Sequence, residues 1–272
     1  MDEADLFAAA PADLRELLAL AQDLAREAGR AHADGRAEGL RVETKSSPTD
    51  LVSQIDQRAE QRIVERLRAE RPGDALLAEE GSLLDGSSGV RWVVDPLDGT
   101  TSYVYDYPCY AASIGVEVGG EAAVGVILDS ATGRLFSAVR GSGATCDGRR
   151  IAVREPQGLA RALVATGFSY DATQRQRQGA VVAAVLPRVR DIRRGGAAAV
   201  DLTHVASGRV DAYYELDLSP WDYTAGVLIA REAGAAVRLL PAAHGRGPAV
   251  VAAHPALIDE FAGLLTEAGA LV

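Results

Sequence analysis

Ten residues of the 272-residue chain, WVVDPLDGTT at positions 92 to 101, place two acids, Asp95 and Asp98, where a short apolar run ends. Acids, proline and glycine after such a run mark a buried strand giving way to a turn. Asp and Gly are common turn formers, so this stretch alone has an adequate structural explanation. Three other acidic points also stand beside structural breaks. LLAEEGS puts Glu79 and Glu80 after an apolar run, SSPTDLVSQID puts Asp50 and Asp56 in a polar stretch, and LSPWDYTAG puts Asp222 at a helix start. Singly these are solvated turn acids, a helix cap and a first-turn acid. Jointly, with no His or Cys candidates nearby, they make an oxygen-rich site. Such a site suits Mg²⁺, a hard cation that takes oxygen ligands and keeps several waters. Asp95 and Asp98 are three apart across a turn, so one could bridge two cations while the other completes the second. Gly99, Thr100 and Thr101 follow at an expected helix start, where free N–H groups could hold a phosphate. Cations flanking a phosphate stabilise the attacking and leaving oxygens of a displacement, so the reading is chemistry at phosphorus.

The elements that must position these residues fall into two textures. Residues 12 to 38 carry Leu and Ala at helical spacing, with ADG expected to help end the helix. A second helix runs from QIDQ and stops at Pro72-Gly73. From about residue 76 to 152, short apolar runs joined by VGG and ATG turns predict a mostly antiparallel sheet. From about 158, strands and helices alternate in α/β order through RALVATGF, DIRRGG, DAYYEL and WDYTAGVLIAREAG to a closing helix. No linker or repeat separates the halves. The expectation is one domain over 1–272 with lobes of about 1–155 and 156–272.

A formal charge of -10 argues against nucleic acid or an anionic membrane as partner, because both reward basic patches. It leaves room for a phosphorylated substrate, since bound cations present a positive site. Cys109 and Cys146 are too few for a disulfide framework or zinc cluster and read as buried, reduced thiols. The opening MDEADLF lacks the order of a signal peptide, and no run approaches a membrane span, so a cytoplasmic location is expected. His32, His204, His244 and His254 are scattered and receive no role. The glycine-rich GGEAAVG and RGSGATCDG lack the strand-to-helix context of a nucleotide fingerprint. RQRQ and DIRRGG are short basic runs read as solvated faces, though Arg193 or Arg194 could help select an anionic substrate.

SSPTDLVSQID, AEEGS, VDPLDGTTSYVYDYP and YYELDLSPWDYTAG, in that order, resemble the inositol monophosphatase family of Mg²⁺-dependent, lithium-sensitive phosphatases. The resemblance runs from about Lys45 to the last helix. It implies a layered αβαβα fold, with an antiparallel-sheet lobe followed by a mixed-sheet α/β lobe, and a homodimer. It implies two or three Mg²⁺ ions: Glu79, Asp95 and the Leu97 carbonyl on the first, Asp95, Asp98 and Asp222 on the second, and Glu79 helping a third. Thr100, paired with Asp50, would orient the attacking water with Glu79 beside it. Leu97, Asp98, Gly99 and Thr100 would face the phosphate, and Gly196, Ala197, Ala198 and Glu215 the sugar alcohol. Asp56 and Glu80 are assigned structural support. Ser102, Ala78 and Ala197 depart from the common pattern, which bears on substrate preference more than on catalysis. The first substrate expected is myo-inositol 1-phosphate. Alternatives are histidinol phosphate, fructose 1,6-bisphosphate, 3'-phosphoadenosine nucleotides, or a catalytically silent binding protein on the same fold.

Overall fold

The site is positioned by two stacked sheets and the helices between and outside them. The computed structural model describes residues 6–38, 42–44, 51–243 and 247–272. A long helix, α1 (Ala12–Glu38), buries Leu14, Leu17, Leu18, Ala21, Leu24, Ala25, Ala28 and Ala31, a stripe at three- and four-residue spacing. Gly35 does not end it. The glycine sits inside the helix because a Cβ there would stand 2.3 Å from Ile55 Cδ1 and 2.7 Å from the Tyr103 hydroxyl. Two short strands, β1 (Val42–Thr44) and β2 (Leu51–Ser53), pair antiparallel, and α2 (Gln54–Glu70) follows.

The first sheet contains β3 (Ala75–Ala78), β4 (Leu83–Leu84), β5 (Val90–Asp98), β6 (Ala111–Val118), β7 (Glu121–Asp129), β8 (Arg134–Val139), β9 (Gly143–Cys146) and β10 (Arg149–Arg150). Their order is β10-β9-β8-β7-β6-β5-β3-β4. The expected mostly antiparallel sheet holds, with one parallel pair, β3 and β5: β4 turns back antiparallel on the outer side of β3, and the chain then runs as β5 on the other side, in the direction of β3. A short helix, α3 (Thr100–Val104), caps the C-terminal end of β5.

The second sheet has the order β12-β11-β13-β15-β14. It is formed by β11 (Leu163–Thr166), β12 (Asp191–Arg193), β13 (Ala212–Glu215), β14 (Ala236–Pro241) and β15 (Pro248–Ala253), parallel from β12 to β13 and antiparallel beyond. The helices are α4 (Ala172–Val185), α5 (Ala198–Ala206), α6 (Pro220–Glu232) and α7 (Ile258–Glu267).

Three apolar clusters give the layering. Helices α1 and α2 cover one face of the first sheet, meeting Trp92, Val94, Ile114, Val116, Val124 and Val126. Helices α5 and α6 fill the space between the sheets, against Ile127, Phe136 and Ala138 on one side and Tyr213, Val250 and Ala252 on the other. Helices α4 and α7 close the outer face of the second sheet. The order α-β-α-β-α is the one expected from the sequence. Helix α6 comes unusually close to the first sheet. Gly115 and Gly125 are cross-strand partners on β6 and β7. A Cβ on Gly125 would stand 2.8 Å from the Ala225 carbonyl, and one on Gly115 2.6 Å from Thr224 Cγ2.

Candidate active site

The C-terminal end of β5 opens into a cleft of about 370 Å³ between the two sheets. Glu79, Asp95, Leu97, Asp98, Gly99, Thr100, Gly196, Ala198, Glu215 and Asp222 all line it. Three elements deliver the four acids on this side. Asp95 and Asp98 end β5, Glu79 follows β3, and Asp222 lies in the first turn of α6. Between Asp95 and Asp98 the pairing with β6 slips: they are three residues apart on β5, whereas their partners Ser113 and Ala111 are two apart. One extra residue makes a β-bulge, a device that re-aims side chains at the end of a ladder.

Backbone donors fix the planes of these carboxylates. Leu97 N–H donates to Asp95 Oδ1 at 3.0 Å, Ala199 N–H to Asp98 Oδ2 at 2.7 Å, and Ser219 N–H to Asp222 Oδ2 at 2.7 Å. The last bond makes Asp222 part of a capping box, so the structural explanation of this acid is realised with one oxygen. Glu79 is held indirectly. Its own N–H donates to the Val94 carbonyl, and Glu60 accepts from the N–H groups of Glu80 and Ser82 at 2.8 and 3.0 Å. Glu60 was not singled out from the sequence, and it ties α2 to the Glu79–Glu80 turn.

The electrostatics are one-sided. Asp95 and Asp98 are 2% and 9% exposed. Burial pushes Asp95 well above the usual carboxylate range, and Glu79, Asp98 and Asp222 push it further. Asp98 is raised by burial and by Asp222, against the lowering effect of the Ala199 bond. Among the described residues lining the cleft, Arg194 is the one cation, resting over the Phe168 ring at 5.9 Å. Carboxylates packed this way repel until a cation joins them, which is the donor chemistry of a hard divalent ion. Among the described residues no three acidic, histidine or cysteine side chains already converge as a finished cage. An ion here would draw the carboxylates together and complete its shell with water, the Leu97 carbonyl and substrate oxygens. The residues fit the group.

Thr100 has a partner on α2 that was not expected for it. Its hydroxyl donates to Asp56 Oδ1 at 2.8 Å, with the Leu97 carbonyl at 3.1 Å as the competing acceptor. Asp50, the partner expected from the sequence, lies outside the described residues. Asp56 is fully buried on α2, where Asp56, Glu60, Val64 and Leu67 share the inward face. That signal was present in the sequence: an acid at helical spacing with the apolar stripe of α2 is not a solvated acid.

On the opposite wall, Glu215 ends β13 and accepts from the Tyr213 hydroxyl at 2.9 Å. Its carboxylate fills the space that a Cβ on Gly167 would occupy. Burial raises its pKa, while Tyr213 and Arg194 hold it down. Gly196 and Ala198 reach the cleft lining, and Ala197 does not. Ala197 is buried behind Gly99, its Cβ 3.0 Å from where a Gly99 Cβ would be. Phe168, Ser169, Tyr170, Leu216, Asp217, Leu218, Ser219 and Trp221 complete the wall, and the sequence reading assigned none of them to the site. Cys109 and Cys146 are free and buried. Burial raises both thiols, Cys146 to about 11, so neither is a nucleophile.

A layered α/β protein with an acid-lined cleft at a bulged strand end is the architecture of a group of metal-dependent phosphatases, and the comparisons specify which. A family model described as the inositol monophosphatase family matches residues 13–267. The chain belongs to the inositol monophosphatase family, and with it to the phosphoric monoester hydrolases. Inositol-1-monophosphatase SuhB of Mycobacterium tuberculosis is 44% identical, covering 94% of this chain and 94% of that protein. Nus factor SuhB of Pasteurella multocida is 38% identical over 91% of this chain and 95% of its own length. The crystal structure of extragenic suppressor protein suhB from Bartonella henselae superposes with a TM-score of 0.85 at 34% identity, covering 93% of this chain and 99% of that one. The resemblance and layered fold read from the sequence are thereby borne out.

Proposed function

We propose that the chain is a Mg²⁺-dependent phosphomonoesterase that releases phosphate from an inositol monophosphate. One observation carries the reading: Glu79, Asp95, Asp98 and Asp222 converge from three elements on one cleft beside Thr100, repelling one another, with Arg194 the one cation among the described residues that line it. Bound divalent ions supply Lewis acidity at such a site, activating water and neutralising charge on the leaving oxygen. Glu79, Asp95 and the Leu97 carbonyl would hold one ion, and Asp95, Asp98 and Asp222 another, with Glu79 shared if a third is present. The Thr100 hydroxyl donates its hydrogen to a bond with Asp56, so the threonine oxygen would offer lone pairs to a water's hydrogen and orient its attack. The N–H groups at Gly99 and Thr100 would hold phosphate oxygens. Gly196, Ala198 and Glu215 stand across the cleft, where a polyol ring would extend, and a carboxylate there accepts hydrogen bonds from ring hydroxyls. Names of relatives such as the M. tuberculosis protein support inositol 1-phosphate as the first substrate to try.

A second reading rests on the relatives named Nus factor SuhB, whose similarity is nearly as high. On that reading the chain acts by binding, and turnover is secondary. Among the described residues no helix is long and apolar enough to cross a membrane; a cytoplasmic homodimer belongs to the proposed reading. Phosphate release across inositol 1-phosphate, histidinol phosphate, fructose 1,6-bisphosphate and 3'-phosphoadenosine nucleotides, with and without Mg²⁺, tests both readings. Mg²⁺-dependent release that is fastest with inositol 1-phosphate is expected, together with inhibition by lithium. Turnover unchanged in excess chelator would sink the cation assignment, and no turnover on any ester would leave the binding role.

A further inference from the structure

The bulge that turns Asp95 and Asp98 toward the cleft leaves a backbone group to be satisfied. Two residues, Pro96 and Leu97, lie between the last regular pairings of β5 with β6. Pro96 has no N–H, and its carbonyl bonds outside the ladder, to His32 Nε2 at 2.9 Å. His32 comes from α1, far away in sequence, and is 2% exposed. A carbonyl only accepts, so Nε2 carries the proton and Nδ1 is left to accept, which it does from the Ser130 hydroxyl at 2.8 Å. Both ring nitrogens are therefore committed, and the ring is locked in one tautomer and one orientation.

The surroundings fix the ring further. The Tyr103 hydroxyl donates to the His32 carbonyl at 2.6 Å, and the Tyr103 and Tyr110 rings lie 5.9 and 6.2 Å from the imidazole. One turn on, Arg36 lies over both tyrosine rings and donates to the Tyr103 carbonyl at the end of α3. Two residues of α1 thus grip the segment on either side of Gly99, His32 before it and Arg36 after it. His32 has no role assigned from the sequence, since it has no partner at ligand spacing, and in the structure it does not line the cleft.

We infer that His32 is a positioning residue for the reaction: its bond to the Pro96 carbonyl holds the Asp95–Asp98 bulge in the shape that presents both carboxylates and the Leu97 carbonyl to a divalent cation. This inference rests on the cation reading above. Without the bond, a buried carbonyl would seek another donor, and the cheapest relief is to relax the bulge. A relaxed bulge rotates Asp95 and the Leu97 carbonyl relative to each other, so cation affinity falls before the fold is lost. A purely structural histidine would instead cost stability and leave the affinity of the folded chain intact.

The test is Mg²⁺ binding by calorimetry to the substrate-free protein, with thermal melting alongside, for the parent, His32→Leu and His32→Gln. Leucine fills a similar volume without a donor, while the glutamine amide can place an N–H where Nε2 stood. His32→Leu is expected to bind Mg²⁺ about 10-fold more weakly while still melting cooperatively, and His32→Gln to recover most of the affinity. Equal Mg²⁺ affinity in the parent and His32→Leu overturns the positioning role while leaving the cation reading intact. A loss that follows the melting temperature and is not recovered by glutamine overturns it as well. A parent that takes up no Mg²⁺ overturns the cation reading and this inference together.

Discussion

Asp74 and the pair Asp95 and Asp98 are all buried at the first sheet, and their surroundings do opposite things with them. At the edge, Asp74 receives Arg71 Nε at 2.8 Å, the Ser88 hydroxyl at 2.7 Å and the Trp92 indole N–H at 2.9 Å. Burial alone would raise this carboxyl, but those three donors outweigh it and hold the pKa below the ordinary value. At the end of β5, Asp95 and Asp98 are as deeply buried, yet their neighbours are other acids and their pKa values rise. The first acid finds its counter-charge within the chain. The second pair must find it outside. That difference separates a structural acid from a chemical one more sharply than burial or residue type does.

The largest effect expected from disturbing this contrast is at Asp95. Asp95→Asn should bring phosphate release below detection, because a neutral amide cannot balance shared cations. The same substitution should raise the melting temperature of the cation-free protein, since one repelling charge is gone. A melting temperature that falls instead would place Asp95 with the structural acids. Next comes the Asp56–Thr100 pair. Thr100→Ala should slow turnover about 10²-fold while leaving Mg²⁺ binding unchanged. Adding Asp56→Asn to it should cost little more, since the two act through one hydroxyl. Fully additive losses in the double variant would mean that the water is held by other groups.

A smaller and more selective effect is expected at Glu215. Glu215→Gln should lower kcat/KM for inositol 1-phosphate about 10-fold and barely change it for a minimal phosphomonoester without ring hydroxyls. Equal losses on both substrates would reduce Glu215 to a strand-end acid bonded to Tyr213. The smallest effect on activity belongs to Asp74. Asp74→Asn should leave kcat untouched and destabilise the protein by about 1.5–3 kcal/mol. The sign with pH follows from the lowered pKa. The contribution of Asp74 is present above its unfolded value, near 3.8, and is lost as pH falls through the lower folded value. Acid denaturation of the parent and Asp74→Asn should therefore converge below that point, and a gap that persists would contradict the assignment.

The sequence carried the element order nearly complete, because hydrophobic period and Gly/Pro punctuation are local signals. The strands and helices from RALVATGF to the last helix fall where the pattern put them. What it concealed was non-local. Gly35 looked like a helix stop and is a point of contact with Ile55 and Tyr103, which no local pattern records. Asp50 and Asp56 looked alike as acids of one polar stretch, and only the packing of α2 puts Asp56 on Thr100. Glu79, Asp95, Asp98 and Asp222 were readable because each sits at a break in its own element. The far wall of the cleft, from Phe168 to Tyr170 and from Leu216 to Trp221, comes from loops whose meeting depends on the second sheet, so its residues carried no common mark.

One consequence of the fold lies in atoms that are missing. Asp222 rides the first turn of α6, three residues before the point where Ala225 rests on Gly125. At about 1.5 Å of rise per residue, the acid is only some 4–5 Å along the helix from that contact. The bare Gly115–Gly125 pair therefore works as a gauge: the clearance between strand and helix, two hydrogens wide, sets how far Asp222 stands from Asp95 and Asp98. A methyl group at Gly125 would touch nothing in the cleft, yet it would lift the helix and open the span between the acids. On the cation reading, Gly125→Ala should therefore register as a shift in relative activation by Mg²⁺ and the larger Mn²⁺.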